Sequence, residues 1–451
     1  MSDFTHLHVH TLFSVLDGVA SPDDYFKKCS ERNWSAMAIT EHGTMNSIPD
    51  AYFSSKDNGI KYIVGCELYY CDYESKRRAI VEGGAKLGDL KQDDDLWGRM
   101  RRNRHLTVLC KNMTGYRNLL AINKASHEKQ FYGRPRTSLD LLAKHREGLI
   151  VLSGCMNGPM SYEVLHDNLN GFDKDTAFGK IHFIGALEYL KALEKLFGDD
   201  FYMELQMPGV EGDVELFESL ADLSEEYKIK PVITGDCHYL SREDFMTQKV
   251  MMAIDQNLLV DDPNLFHVNS DEQYLKSRED LLETFKNNDY SRRISTALFE
   301  RACDNTMDVA SKCSEFEPDF SPKLPRFDDA NNTLRTECVK NLKKRGLDKD
   351  EKKYLVDGRM VTHTEQMEIE LERLIDKEYA SYFLITRDLI QASLKKGWIL
   401  GPGRGSCAGS LVCYLLDITT INPLLWGGLS FNRFLSPARG GKMLKVDMPD
   451  E

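Results

Sequence analysis

Five histidines, two aspartates, one glutamate and one cysteine stand at or near the ends of short apolar runs spread over more than two hundred residues. They are His8, His10, Asp17, His42, Glu67, His105, Cys155, Asp236 and His238. Imidazole and thiolate suit zinc, while carboxylates also accept manganese or magnesium and can bridge neighbouring ions. Gathered in one place, these side chains would make a polynuclear metal site. Its ions would acidify a water and clamp the oxygens of a phosphoester during hydrolysis. One such histidine is better explained as a surface or satisfied core residue, but nine in register are not.

The runs that must position them are Phe4 to His10, Ala36 to His42, Tyr62 to Tyr70, His105 to Cys110, Gly148 to Cys155, Phe201 to Leu205 and Pro231 to His238. Each is rich in Val, Ile, Leu, Tyr or Phe, and helix-like stretches separate several of them, the alternation of a parallel β/α barrel. In such barrels chemistry gathers where the strands end. His8 with His10, and Asp236 with His238, lie two residues apart, so strand alternation sends each pair to one face. Ser21-Pro22-Asp23-Asp24 predicts a capped helix after the first strand, and the apolar spacing over Asp213 to Lys228 predicts another before the last. The barrel is expected to close near Leu240, and Ser321-Pro322-Lys323-Leu324-Pro325 reads as a linker.

With 451 residues and 41% hydrophobic content the chain can bury two substantial cores. No long apolar run suggests a membrane span, no signal-peptide pattern opens the sequence, and eleven cysteines lack a CxxC rhythm. Reduced thiols in a cytoplasm are expected. A net charge of −13 argues against nucleic-acid binding over the whole surface. Locally, Arg99, Arg101, Arg102 and Arg104 run into the His105 strand and would guide a nucleic-acid strand toward the metals. Lys340, Lys343, Lys344 and Arg345 read as a solvated helix face.

Further along, Thr364 to Lys396 favours helix with a break near Tyr379 to Tyr382. It leads to Gly401-Pro402-Gly403-Arg404-Gly405-Ser406-Cys407-Ala408-Gly409-Ser410 and the apolar run Leu411 to Leu416. Such a loop lets backbone N–H groups approach phosphates, and the helix start behind it adds partial positive charge, a triphosphate cradle. The loop lacks the Gly-Lys-Ser/Thr ending of a Walker motif, so on its own it reads as a tight glycine turn.

Phe4-Thr5-His6-Leu7-His8-Val9-His10-Thr11, Ser14-Val15-Leu16-Asp17-Gly18, Ile39-Thr40-Glu41-His42-Gly43, Gly65-Cys66-Glu67, Leu152-Ser153-Gly154-Cys155 and Asp236-Cys237-His238-Tyr239-Leu240 together resemble the polymerase and histidinol phosphatase (PHP) domain. The glycine loop, Ile418 to Pro423, and Phe431 to Arg439 are similar in order and type to the palm of C-family bacterial replicative DNA polymerases, which carry a PHP domain at the front. The resemblance implies a distorted (β/α)7 PHP barrel with its exit segment over residues 1–285. A mostly helical, incomplete palm would follow over 286–451.

It puts the family's nine metal ligands on the nine residues named above, holding up to three zinc or manganese ions. Glu41 replaces the usual Asp and is expected to stand behind the metal ligands rather than among them. Arg404, Gly405, Ser406 and Arg439 would meet the nucleotide's phosphates, and Gly440-Gly441-Lys442 lengthens the family's connection beyond them. Asp450 would begin the strand of acids whose later members bind magnesium in a completed polymerase site. The implied function is the amino-terminal part of a replicative polymerase, truncated or naturally split, with a PHP phosphoesterase or 3′–5′ exonuclease site. Its partners would be DNA primer-template, a deoxynucleoside triphosphate, a second polypeptide with the rest of the polymerase and, through that polypeptide, a sliding clamp. The setting would be the cytoplasm of a bacterium or a phage-infected bacterium. Two other readings are a stand-alone phosphoesterase of small esters and a non-catalytic scaffold. An unfinished palm is expected to expose Leu415, Leu416, Leu424, Leu425 and Trp426.

Overall fold

The computed structural model describes residues 4–71, 98, 101–176, 179–319, 327–426 and 429–436. They fall in two compact units, residues 1–318 and 319–451. In the first, the strands are β1 (Ala36–Ile39), β2 (Lys61–Tyr70), β3 (Arg104–Cys110), β4 (Phe131–Tyr132), β5 (Arg134–Thr137), β6 (Leu149–Leu152), β7 (Phe172–Thr176), β8 (Gly179–Phe183), β9 (Phe201–Gln206) and β10 (Lys230–Thr234). The main sheet runs β10-β9-β6-β3-β2, with β1 on one side of β2 and the β5-β4 hairpin extending from its far end.

Residues 4–10 close this sheet. His6 bridges Met37 of β1 on one side, and Val9 bridges Cys237 beyond β10 on the other, both in parallel. Seven runs therefore circle one axis as a distorted barrel. The closing run carries a bulge: Ala38 N–H bonds His6 O and Thr40 N–H bonds Val9 O, so three steps match two.

One strand departs from the expected parallel order. β3 is antiparallel to both neighbours, β2 and β6. The parallel strands bring their C-terminal ends to the mouth, so a ligand at the first turn of a run reaches the same mouth only if that run is reversed. His105 is the second residue of β3.

The barrel's other end is filled by the helix Thr296–Lys312, whose Val309 and Ala310 cluster with Leu7, Ala38, Ile63 and Val232. Thr306 Oγ1 accepts from Thr5 N–H, and Asn305 Nδ2 donates to Pro231 O, so this helix also takes up strand-end polar groups. Because the plug belongs to the barrel core, the first unit runs to Pro318 rather than ending near 285. The helix Pro22–Glu31 is capped by Ser21 as expected, the cap being a reciprocal box with Asp24, and Asp213–Glu226 is helical as its periodicity predicts. The predicted linker, Ser321 to Pro325, lies outside the described residues.

The second unit is mostly helical. Its core joins Leu334, Cys338, Leu371, Leu374, Leu411 and Leu415 from the helices Ala330–Lys344, His363–Asp376 and Leu411–Leu415. The predicted long helix is two, His363–Asp376 and Ala380–Lys395, parted where Glu378 takes a φ of 60°. Leu415, Leu416 and Leu424 are buried in this core, contrary to expectation, because it packs on itself; Leu425 and Trp426 are exposed as expected. No helix among the described residues is long and apolar enough to cross a membrane.

Candidate metal centre at the barrel mouth

All nine side chains meet at the mouth, around Glu67. Its carboxylate lies 2.5 Å from His42 Nδ1, 3.0 Å from His105 Nδ1, 3.4 Å from His8 Nε2, 3.7 Å from His10 Nε2 and 3.5 Å from Cys155 Sγ. Asp236 Oδ1 stands 3.4 Å from His8 Nε2 and 3.3 Å from His10 Nε2. Asp17 Oδ2 lies 2.9 Å from His42 Nε2 and 3.5 Å from His238 Nε2. Three overlapping groups have ligand atoms within 4.8 Å of one another: His8, His10 and Asp236; His10, His42 and His238; His42, Glu67 and His105.

The backbone presents them in different ways. His8 and His10 point together, as alternation predicts. Asp236 and His238 do not owe their convergence to alternation: β10 ends at Thr234, and Asp236 takes a left-handed φ of 45°. At Gly154, φ is 92°, and a Cβ there would meet His105 O at 2.1 Å; only glycine lets the Cys155 turn lie against β3.

Sequence reasoning missed Glu204. This buried carboxylate accepts from His8 Nδ1 at 2.7 Å, from Thr234 Oγ1 and Gln206 Nε2, and from Thr107 Oγ1 and Gly154 N–H. It fixes the His8 proton on Nδ1 and leaves Nε2 turned to the site. The available signal was an acid inside the apolar run Phe201 to Leu205.

Glu41 stands behind the ligands. It accepts from Thr11 N–H, Thr11 Oγ1 and Ser14 Oγ, and that Ser14 Oγ accepts from His10 Nδ1 at 2.9 Å. Glu41 therefore orients His10 through Ser14; to His42 it offers only Ser14 Oγ, which accepts from the His42 backbone N–H. His238 is held by Nδ1 donating to Asp236 O at 2.8 Å.

Burial opposes every charge here, so the shifts show which pairs prevail. Despite burial, Asp236 and Glu204 raise the His8 pKa well above its usual value, and Glu67 and Asp17 do the same for His42. Reciprocally, His105 and His42 hold Glu67 well below the carboxylate range, and His238 and His42 hold Asp17 there. Burial and the neighbouring His42 and His238 push His10 down to about 3. Burial, Glu67 and Asp236 push the Cys155 thiol up.

Three buried atoms, His8 Nε2, His10 Nε2 and Asp236 Oδ1, have no hydrogen-bond partner although they face one another. Such orphaned nitrogen and oxygen donors fit a borderline cation. In the second unit, Arg404, Gly405 and Ser406 lie exposed in and beside the short 3-10 turn Gly405–Gly409. The helix start behind them is already filled: Glu370 accepts from Leu411 N–H, Val412 N–H and Ser410 Oγ. The N–H groups of Leu411 and Val412 are therefore not open to a phosphate, while Gly405 and Ser406 present an exposed loop backbone. Arg99, Arg439, Gly440 to Lys442 and Asp450 lie outside the described residues.

Residues 6–208 match the model of the PHP domain, and residues 332–450 match that of the bacterial DNA polymerase III alpha NTPase domain. Along its whole length it is 34% identical to DNA polymerase III subunit alpha of Borreliella burgdorferi and 30% identical to that of Campylobacter jejuni, covering 35% and 36% of those proteins. The Aquifex aeolicus alpha subunit is 32% identical over 99% of the chain. The chain thus spans about a third of the length of the curated relatives it matches. Among solved structures, an amidohydrolase from Chromobacterium violaceum overlaps weakly, at 11% identity and a TM-score of 0.29, over 52% of this chain and 87% of its own. The polymerase III alpha relationship covers both units, which disfavours a stand-alone small-ester phosphatase and a bare scaffold.

Proposed function

We propose that the barrel mouth is a metal-dependent phosphodiesterase that removes nucleotides from the 3′ end of DNA. The second unit would be the front of a polymerase palm that meets primer-template and a deoxynucleoside triphosphate once the rest of a polymerase III alpha subunit, with its sliding-clamp contacts, is present. The observation that carries the first part is the gathering of nine ligand-type side chains at one mouth, where three of their buried donor atoms are left without hydrogen-bond partners.

The donor set of imidazoles, carboxylates and one thiol suits up to three zinc or manganese ions. Bound there, they would supply charge stabilisation for a phosphoryl group and acidity for a water. The protein's own part is to hold the donors in register. Glu204 fixes His8, the Ser14–Glu41 relay fixes His10, the Asp236 carbonyl fixes His238, and Glu67 spans between His8, His42 and His105. Magnesium would serve the completed palm, where Arg404, Gly405, Ser406 and Arg439 contact nucleotide phosphates through side chains and exposed loop backbone. The setting would be the bacterial cytoplasm.

The test is digestion of a 5′-labelled mismatched primer-template by the purified chain with manganese, zinc or chelator, beside His10→Ala. Metal-dependent shortening from the 3′ end, lost in the variant, is expected. No shortening by the metal-loaded chain would remove the exonuclease reading.

A further inference from the structure

Next to the mouth, on the His42 side, the β4–β5 hairpin turns two rings outward: Phe131 is 58% and Tyr132 48% exposed. The hairpin is tied to the site. β5 pairs with Tyr69 and Tyr70 at the mouth end of β2, and a Cβ on Gly43 would meet Pro135 at 2.9 Å. The Tyr69 ring in turn lies 5.4 Å from the His105 ring and 6.3 Å from that of His42.

Guanidinium groups accompany the rings. Arg101 and Arg136 lie over Tyr132 at 4.3 and 4.7 Å, and Arg134 lies over Tyr69 at 5.5 Å. Neither Arg101 to Arg104 nor Phe131 to Thr137 contains an acid, in a chain whose net charge is −13. Local basicity against that background is a field that draws a polyanion to this edge. Outward aromatic rings interleaved with arginines are also the chemistry that holds single strands, since bases of any sequence stack while cations track the phosphates.

We propose that this hairpin is the entry platform for a single-stranded nucleic-acid end. Bases stack on Phe131 and Tyr132, Arg134 holds a phosphate, and the terminal phosphodiester passes Tyr69 to reach His42 and His105. The proposal rests on the phosphodiesterase reading and adds its substrate form: an unpaired end, without base preference.

The experiment is fluorescence anisotropy of a short fluorescein-labelled thymidine oligomer with the full chain in chelator. Tyr132→Ala is expected to weaken binding about tenfold, whereas Tyr132→Phe, which keeps the ring, binds as wild type does. Arg134→Ala is expected to flatten the slope of log affinity on log salt by about 0.7, the loss of one single-strand phosphate contact. Melting temperatures are taken alongside, and Phe131→Ala replaces any variant that melts below wild type. Equal affinity and salt slope in wild type, Tyr132→Ala and Arg134→Ala overturn the proposal, as does equal loss in Tyr132→Ala and Tyr132→Phe. Hydrolysis of bis(p-nitrophenyl) phosphate by the manganese-loaded wild type separates the two ideas. Hydrolysis without oligomer binding overturns the platform alone; binding without hydrolysis keeps the platform and removes the phosphodiesterase reading.

Discussion

At the barrel mouth, His8 Nε2, His10 Nε2 and Asp236 Oδ1 are buried and face one another without hydrogen-bond partners. Behind the glycine loop of the second unit, the N–H groups of Leu411 and Val412 both end on Glu370. The first region has donor capacity left over inside a rigid frame, whereas the second has used its helix start internally and offers an exposed turn. What separates a buried ion site from an exposed loop is therefore which polar groups remain unpaired inside the fold after it has satisfied itself. Both regions contain residue types that suit their ligands, and only the pairing distinguishes them.

The largest effect should come from the hub. Glu67→Gln is expected to lower bound metal and mismatched-primer digestion together, by more than about a hundredfold, beyond the range for partners that merely orient a ligand. Ser406→Ala, in the other region, should leave metal content unchanged. Metal analysis of the two purified variants checks this, and equal metal loss in both would erase the contrast.

Glu204→Gln keeps the volume but replaces an acceptor with a donor beside His8. Metal affinity should drop about 10- to 100-fold in a chelator competition. Unchanged affinity would mean that His8 needs no orienting partner.

Glu370 sharpens the other side of the comparison. Removing its buried carboxylate strands Leu411 N–H, Val412 N–H and Ser410 Oγ, so Glu370→Ala should destabilise the chain by about 2 kcal/mol or more in urea. An unchanged urea midpoint would show that water or the loop replaces it.

The smallest effect is in pH. The carboxylates around His8 and His42 raise their pKa values, so without metal both imidazoles hold protons beyond the ordinary value of about 6.5. Their contribution to the stability of the metal-free chain is fully present below that value and is lost as pH rises through the raised ones. Metal must displace those protons, so metal affinity should instead climb over the same interval, with protons released in calorimetry. Uptake without proton release would contradict these shifts.

Much of this was legible in the sequence for physical reasons. The nine ligand types and seven apolar runs could be read because ligands stand at strand ends and strands are short and β-branched or aromatic. The reversal of β3 was legible in principle, since His105 opens its run while His10, His42, Cys155 and His238 close theirs. Glu204 was hidden because a single acid in a strand has no spacing to mark it. Asp236 reaches the site through a left-handed residue, which alternation cannot foresee. Glu370 was out of reach because it meets Leu411 across forty-one residues of chain, and only the folded core brings them together.

The most direct test of the central claim is anomalous X-ray scattering from crystals of the chain soaked in manganese. Two or three peaks are expected at the barrel mouth, bonded to His8, His10, Glu67 and Asp236, and none at Gly405. An empty mouth in crystals that take up manganese elsewhere would contradict it.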